Sequence, residues 1–308
     1  MRLASIDIGS NGARLLISRV LTPNSKKLKP DTEVFFKDIE YTRFPLRLGK
    51  DVFVHKIITE KKKEQLLKLM QAFKLLMELH EVDDYMALAT SAFREAENGE
   101  EMVELVEKET GIAIEVIDGS REAEILNQVI IKHLEIDKNY LHTDVGGGST
   151  ELNLYIKREK VASRSFTLGS IRNSDNRKSS DTFEEIRNWV EKQKNKYFEN
   201  GDKVTGVGTG GNINKAFALI NSSDITINNQ DIRNLQHYLK NFSFKEKVNI
   251  LKLNPDRADT IIPALDIYLN TMEWIGANEM IVPKVGLKDG MMELLMIRNF
   301  EKMSLVGI

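Results

Sequence analysis

The 308-residue chain is long enough for two domains, and with 41% apolar residues each half can bury a core of its own. Its 44 basic and 46 acidic side chains nearly cancel to a formal net charge of -2, which excludes the broad positive field of a general nucleic-acid binder. The absence of cysteine excludes disulfides, thiolate metal sites and a cysteine nucleophile, and no apolar run approaches the ~20 residues that cross a bilayer.

The chain opens MRLASIDIGS, with a charged second residue and no long apolar stretch, and so reads as a first strand rather than a signal peptide. The expectation is a cytoplasmic protein that engages neither nucleic acid nor membrane. Arg2–Ile8 reads as a strand and Ala13–Val20 as its hairpin partner. Thr22–Pro30 is a polar turn with two prolines, before a strand-like stretch at Glu33–Thr42. Glu60–His80 is a long helix, because Leu66, Leu69, Met70, Phe73, Leu76 and Met77 recur at helical spacing. A strand at Tyr85–Ala89 and a helix at Gly99–Thr110 follow, the helix ended by Gly111 as a C-cap. Ile112–Ile117 is expected as a strand and Arg121–His133 as a helix.

The pattern then restarts. Tyr140–Val145, Glu151–Lys157 and Val161–Thr167 read as strands, Asp181–Phe198 as a helix, Lys203–Val207 as a strand and Asn212–Ile220 as a helix. The remainder is mostly helical, with one short strand near Met280–Val282. Strands alternating with helices predict an α/β architecture.

Two segments repeat at a separation near half the chain. One is Asp7-Ile-Gly-Ser-Asn11 and the other is Asp144-Val-Gly-Gly-Gly-Ser-Thr150, each followed by a leucine, Leu15 or Leu152, eight residues after its aspartate. In both, a strand delivers an aspartate into a Gly/Ser turn. Such turns most often only close hairpins, but a matched pair with three consecutive glycines in one copy calls for close backbone approach. Successive N–H groups and hydroxyls from Ser10, Asn11, Gly146, Gly147, Gly148, Ser149 and Thr150 would make concave anion sites. An aspartate at each strand end, Asp7 or Asp144, can hold a divalent cation through oxygen. Two related lobes clamping one phosphate chain is the expectation. Gly206-Val-Gly208-Thr-Gly-Gly211 is also a literal dinucleotide fingerprint after a strand and before a helix, with Asp231 further on. A nicotinamide or flavin enzyme would leave both Asp/Gly turns unexplained. The five histidines, His55, His80, His133, His142 and His237, have no ligand spacing and read as surface or satisfied core residues.

Asp7-Ile-Gly-Ser-Asn11, Ala89-Thr-Ser-Ala-Phe-Arg-Glu95, Asp118-Gly-Ser-Arg-Glu-Ala123, Asp144-Val-Gly-Gly-Gly-Ser-Thr-Glu151 and Gly206-Val-Gly-Thr-Gly-Gly211 occur in this order. Leu168-Gly-Ser-Ile-Arg172, Arg257-Ala-Asp259 and Gly286-Leu-Lys-Asp-Gly290 extend the set. It resembles the exopolyphosphatase/guanosine pentaphosphate phosphatase (Ppx/GppA) family. The resemblance implies an α/β fold of two actin-like (ribonuclease H-like) lobes with a cleft between them, as in sugar kinases, heat-shock chaperones and actin. The lobes would be 1–124 and 125–308.

The resemblance further implies that Glu122 deprotonates the attacking water, that Arg94 stabilises the transferred phosphoryl group, and that Asp144 and Glu151 hold Mg²⁺ or another divalent cation, assisted by Asp7. Gly208, Gly210 and Gly211 would line the distal end of the phosphate chain, with Lys215 as a contact. The substrate would be inorganic polyphosphate, guanosine pentaphosphate or both, and the assembly a homodimer. This chain departs from the family at Arg121, where a second acid is common, and at Gly12, where Ser or Thr is usual. Longer members carry an added C-terminal helical domain; the end at Ile308 leads to the expectation of a short-chain or nucleotide substrate. Two other readings of the same cleft are a non-catalytic sensor of a phosphate chain or nucleotide and a kinase passing phosphate to an acceptor.

Overall fold

The computed structural model describes residues 1–21, 35–172, 176–199, 201–222 and 224–305. The polar turn expected at Thr22–Pro30 and the first residues of the strand expected from Glu33 lie outside them. The first part of the chain forms β1 (Arg2–Ile8), β2 (Ala13–Leu21), β3 (Phe35–Phe44), α1 (Leu48–His55), α2 (Glu60–Leu79), β4 (Asp84–Ala89), α3 (Ser91–Glu95), α4 (Gly99–Thr110), β5 (Glu115–Val116) and α5 (Gly119–Ile130). The second part forms β6 (Asn139–Val145), β7 (Thr150–Ile156), β8 (Glu159–Phe166), α6 (Asn176–Tyr197), β9 (Val204–Thr209), α7 (Gly211–Ile220), β10 (Thr226–Asn228), α8 (Asn229–Lys240), α9 (Phe244–Asn249), α10 (Pro255–Ala258), α11 (Ile261–Ile275), β11 (Glu279–Ile281) and α12 (Leu287–Leu305). Among the described residues, no helix is long and apolar enough to cross a membrane.

Two mixed sheets result, ordered β3-β2-β1-β4-β5 and β10-β11-β9-β6-β7-β8. In each, an antiparallel three-strand meander is extended by a parallel strand beside its first member: β4 beside β1, and β9 beside β6. The duplication reaches single hydrogen bonds. Gly9 N donates to Gly12 O at 3.1 Å, and Gly146 N donates to Ser149 O at 3.0 Å. Asp7 pairs with Arg14 at the step of the first hairpin where Asp144 pairs with Glu151 in the second.

Alternation along the strands sorts the cores. In the first unit Ile6, Ile8, Leu15 and Ile17 face Leu66, Met70 and Phe73 of α2. The opposite face buries Leu3 and Leu16 under Met292, Leu295 and Met296 of α12. In the second unit Leu141, Val145, Leu152 and Leu154 pack with Ile186, Ile213, Ile232 and Leu265 from α6, α7, α8 and α11. Its opposite face carries Tyr140, Tyr155 and Val207 against Ile130, Leu134 and Ile281. Each such fully buried large side chain contributes roughly 1.5–3 kcal/mol.

The compact units are Met1–Val129 with Gly286–Ile308, and Ile130–Val285. This differs from the expected division at 124/125, which placed everything from 125 onward in the second lobe. The C-terminal segment returns because the first sheet's second face is apolar at Leu3 and Leu16 and α12 is the helix that buries it.

Candidate functional site

In the first unit, β1 ends by placing Asp7, 5% exposed, beside the Gly9–Gly12 turn. The turn's carbonyls are tied down: Arg47 N donates to Asn11 O at 3.2 Å and Gly49 N to Ser10 O at 2.9 Å. Both Ser10 and Asn11 are buried. Ser10 Oγ meets Ser91 Oγ at 2.8 Å, which links the turn to the start of α3. Arg94, on the same short helix, donates from Nη1 to Ile117 O at 2.7 Å. That bond braces the link from β5 into α5, whose first turn bears Glu122. Asp118 caps this turn by accepting from Arg121 N at 2.8 Å, and Glu122 N donates to Asp118 O at 3.0 Å. Arg121, the departure from the expected acid, turns outward to Glu124 at 3.2 Å. Ser10, Arg94 and Glu122 therefore belong to one hydrogen-bonded chain of turns.

Gly12 has a packing reason. A Cβ there would stand 2.8 Å from Phe44 O and 3.3 Å from Arg43 Nη2, so the missing hydroxyl makes way for the neighbouring strand and its guanidinium.

In the second unit, the glycine turn lies on the segment from Leu168 to Arg172. Gly146 O accepts from Ser170 N at 3.0 Å and from Ser170 Oγ at 3.1 Å. Gly147 O accepts from Ile171 N at 2.9 Å, and Gly148 O from Arg172 Nε at 2.8 Å. In a trans peptide the N–H points away from the carbonyl. Fixing these three carbonyls on one side therefore aims the N–H groups of Gly147, Gly148 and Ser149 the other way, as an anion nest requires. Thr150 does not join them: its Oγ1 donates to Leu168 O at 2.6 Å. Gly169 is obligatory for this seat, because a Cβ there would lie 2.5 Å from Gly147 C and O and from Gly148 N.

Beside the nest, one row of side chains crosses four strands. It runs Thr209, Asp144, Glu151, Ser165 over β9, β6, β7 and β8. Thr209 Oγ1 donates to Asp144 Oδ1 at 2.8 Å, and Ser165 Oγ donates to Glu151 Oε1 at 2.8 Å. Glu151 is only 2% exposed. Like charges directly opposed across a ladder are destabilising, and two carboxylates held by hydroxyls are the oxygen donor set that a hard divalent cation neutralises. The residues fit Mg²⁺. The corresponding row of the first sheet reads Leu88, Asp7, Arg14, Arg43. There Arg14 forms an ion pair with Asp7. A cation at Asp7 would have to displace a guanidinium, so Asp7 differs chemically from the two acids with which it was grouped.

The Gly206–Gly211 loop is filled by the protein itself. A Cβ at Gly208 would meet Met280 Sδ at 2.5 Å, and one at Gly211 would meet Arg257 Nη2 at 2.0 Å. The space beside those two glycines is taken by side chains of the protein, so packing explains them without a dinucleotide. Gly210 is different. Its φ of 109° and its place 2.8 Å from Val145 O and 3.2 Å from Asp144 Oδ1, measured from a Cβ, put it against the acidic row.

A model of the Ppx/GppA phosphatase family matches residues 29–298. The chain belongs to that family. It is 30% identical over 303 residues to a bifunctional 3-dehydroquinate synthase/phosphatase of Fusobacterium nucleatum, covering 91% of this chain and 44% of that protein. It is 28% identical over 176 residues to exopolyphosphatase 1 of Mycobacterium bovis, covering 55% of this chain and 47% of that one. The chain thus spans less than half the length of these curated relatives. The crystal structure of the Aquifex aeolicus Ppx/GppA family member aligns at a TM-score of 0.70 and 25% identity, covering 96% of this chain and 98% of that one. An exopolyphosphatase from Cytophaga hutchinsonii shares the fold at a TM-score of 0.79 and 23% identity, covering 94% and 96%.

For a Ppx/GppA protein, the expected α/β architecture is present, with one mixed sheet in each unit. Sequence reasoning missed Thr209, Ser165 and Tyr268. Tyr268 donates from its hydroxyl to Thr209 O and accepts from Val145 N at 3.3 Å, which binds the ends of β6 and β9 together. Burial, with Asp144 adding to it, raises its phenol pKa well above the ordinary value, so it stays a neutral donor. No local pattern announces these residues: strand register brings Thr209 to Asp144 and Ser165 to Glu151, and the packing of α11 brings Tyr268 to the ends of β6 and β9.

Proposed function

We propose that this Ppx/GppA protein hydrolyses a phosphoanhydride, releasing the terminal phosphate of inorganic polyphosphate or guanosine pentaphosphate. Asp144 and Glu151 would hold a divalent cation, which when bound supplies charge neutralisation for the phosphate oxygens. Ser10 and Asn11 of the first turn and the N–H groups of Gly147, Gly148 and Ser149 of the second would bind phosphate oxygens. Glu122 is the candidate base that takes the proton of the attacking water, and Arg94 the candidate donor to the equatorial oxygens. Gly210 would line the same phosphate path. Membership of a phosphatase family and relatives named as a phosphatase and an exopolyphosphatase support the reaction class.

The observation that carries this reading is the seating of the Gly146–Gly148 carbonyls on residues 168–172, which orients three N–H groups beside the acidic pair of Asp144 and the buried Glu151. The test is phosphate release from each substrate with Mg²⁺, for the natural protein and for Glu122→Gln. We expect turnover in the first and a loss of at least ~100-fold in kcat in the second. Turnover unchanged in Glu122→Gln removes Glu122 as the base. Tight binding of either compound without phosphate release would replace the enzyme by a sensor.

A further inference from the structure

Beneath the acidic row lies a second polar row, and it has no counterpart in the other sheet. One step further from the turn, β6 and β7 pair His142 with Asn153, and β8 adds Ser163 opposite Asn153. His142 and Asn153 are both 0% exposed. Ser163 Oγ donates to Asn153 Oδ1 at 2.7 Å, so the amide turns its nitrogen toward the imidazole. Asn153 Nδ2 lies 3.1 Å from His142 Nδ1, which must then accept. That leaves the ring proton on Nε2, 2.8 Å from Thr209 Oγ1. Thr209 accepts this bond and donates its own hydroxyl hydrogen bond to Asp144 Oδ1 at 2.8 Å. Every donor and acceptor along Ser163, Asn153, His142, Thr209 and Asp144 has one consistent direction, and the chain ends on the carboxylate.

The matching positions of the first sheet are Ser5 for His142, Leu16 for Asn153 and Leu88 for Thr209. They build no such relay: Leu16 and Leu88 are apolar, and Ser5 Oγ is a buried hydroxyl with no hydrogen-bond partner among the described residues. The duplicated hairpin therefore kept its aspartate in both sheets but acquired the buried relay only where that aspartate faces a glutamate across the ladder.

We infer that His142 is a positioning residue: acting through Thr209, it fixes the rotamer of Asp144 so that the carboxylate's other oxygen is presented for a divalent cation. Partners in this relation to a metal ligand orient it and raise its basicity. His142 contributes as a neutral N–H donor buried below the site. Its link with catalysis rests on the function proposed above; its link with metal binding does not.

The experiment compares four variants of the full chain, His142→Leu, His142→Gln, Thr209→Val and Thr209→Ser. Leu and Val keep the approximate volume and delete the relay. Gln and Ser keep a donor or hydroxyl at the needed place. Binding of Mn²⁺ alone is titrated by the electron paramagnetic resonance signal of free metal, alongside thermal melts and kcat and KM for phosphate release. We expect Mn²⁺ affinity to fall ~10-fold or more in His142→Leu and Thr209→Val, with kcat falling in step and KM for the phosphate chain nearly constant. His142→Gln and Thr209→Ser should recover most of the loss. Wild-type Mn²⁺ affinity in a folded His142→Leu or Thr209→Val protein overturns the inference, as does no Mn²⁺ binding by the natural protein. So does a loss in all four variants that merely tracks their melting temperatures. Should His142→Leu fail to fold, the Thr209 pair decides. A natural protein that binds Mn²⁺ but releases no phosphate would sink the proposed function and leave the relay to be judged on metal affinity.

Discussion

Asp7 and Asp144 stand at the same step of a duplicated hairpin, yet one faces arginine and the other glutamate across its ladder. The difference leaves Asp7 balanced by a guanidinium and sets Asp144 opposite a second carboxylate. The glycine nest depends equally on one small residue outside it. Replacing Gly169 by alanine would drive a Cβ to 2.5 Å from backbone atoms of Gly147 and Gly148, and backbone cannot swing aside as a flexible side chain can. We expect a cost of about 1–3 kcal/mol in stability together with weaker phosphate binding. Gly286→Ala is the control, since a Cβ there meets nothing within 4 Å. Thermal melts and calorimetric titration with a short polyphosphate read both effects, and equal behaviour of the two variants would show that the carbonyl seat is not rigid. The repeated Asp/Gly turns were legible in the sequence because their chemistry is contiguous along the chain. Thr209 and Ser165 were not, because they reach Asp144 and Glu151 only through strand pairing that no local pattern encodes. His142, grouped with the other histidines as surface or satisfied core, is a core residue, but its direction toward Asp144 depends on Asn153 and Thr209, and so on the same pairing.

Elements with strong periodicity appeared close to where the pattern placed them. The long helix expected at Glu60–His80 is α2, and Gly111 caps α4 with φ of 74°. α1 was not anticipated: it is short, contains Gly49, and follows Arg47 in a left-handed conformation. Its place is set by tertiary bonds to the Ser10–Asn11 turn rather than by propensity. The strand expected at Ile112–Ile117 shrinks to Glu115 and Val116, the two residues in register with Leu88 and Ala89 of β4, and closes with Ile117 N donating to Ala89 O at 2.9 Å. The docking of α12 carries a titratable clasp. Asp84, at the start of β4, accepts from Arg298 Nη2 at 2.7 Å and Asn299 Nδ2 at 2.8 Å, and lies 3.3 Å from Lys302 Nζ. Burial acts to raise the Asp84 pKa, but the hydrogen bonds from Asn299 and Arg298, the charge of Arg298 and the bond from Lys302 together hold it below the ordinary 3.8. A carboxyl whose folded pKa is depressed stabilises the folded state above its unfolded pKa, and loses that contribution as pH falls through the folded value. The clasp should therefore be fully made above about pH 4–5 and released in stronger acid. In melts recorded from neutral to pH 3, Asp84→Asn should start lower and fall less steeply than the natural protein. Parallel curves would mean that Asp84 contributes no charge-dependent stability.

Duplication explains why the chain divides as it does. Each unit repeats the same meander and parallel strand, and each leaves a second sheet face that is apolar far from the turn and polar near it. In the second unit that face is covered by residues contiguous with the sheet's own sequence, Ile130 and Leu134. In the first it is covered by α12, which arrives only after the whole second unit has been made. The two halves should thus differ in autonomy. A fragment of residues 130–285 holds its complete core and is expected to melt cooperatively with dispersed amide signals. A fragment of residues 1–129 leaves Leu3 and Leu16 without Met292, Leu295 and Met296, and loses the bonds from Arg298 and Asn299 to Asp84. Such exposed apolar surface should bind a hydrophobic dye and abolish a sharp transition. Joining residues 286–308 ahead of Met1 through a flexible linker restores the helix without the second unit, and should return both the cooperative melt and low dye binding. Cooperative folding of residues 1–129 alone would show instead that α2 and α4 suffice as the first unit's core, and that α12 is an accessory to a sheet already stable.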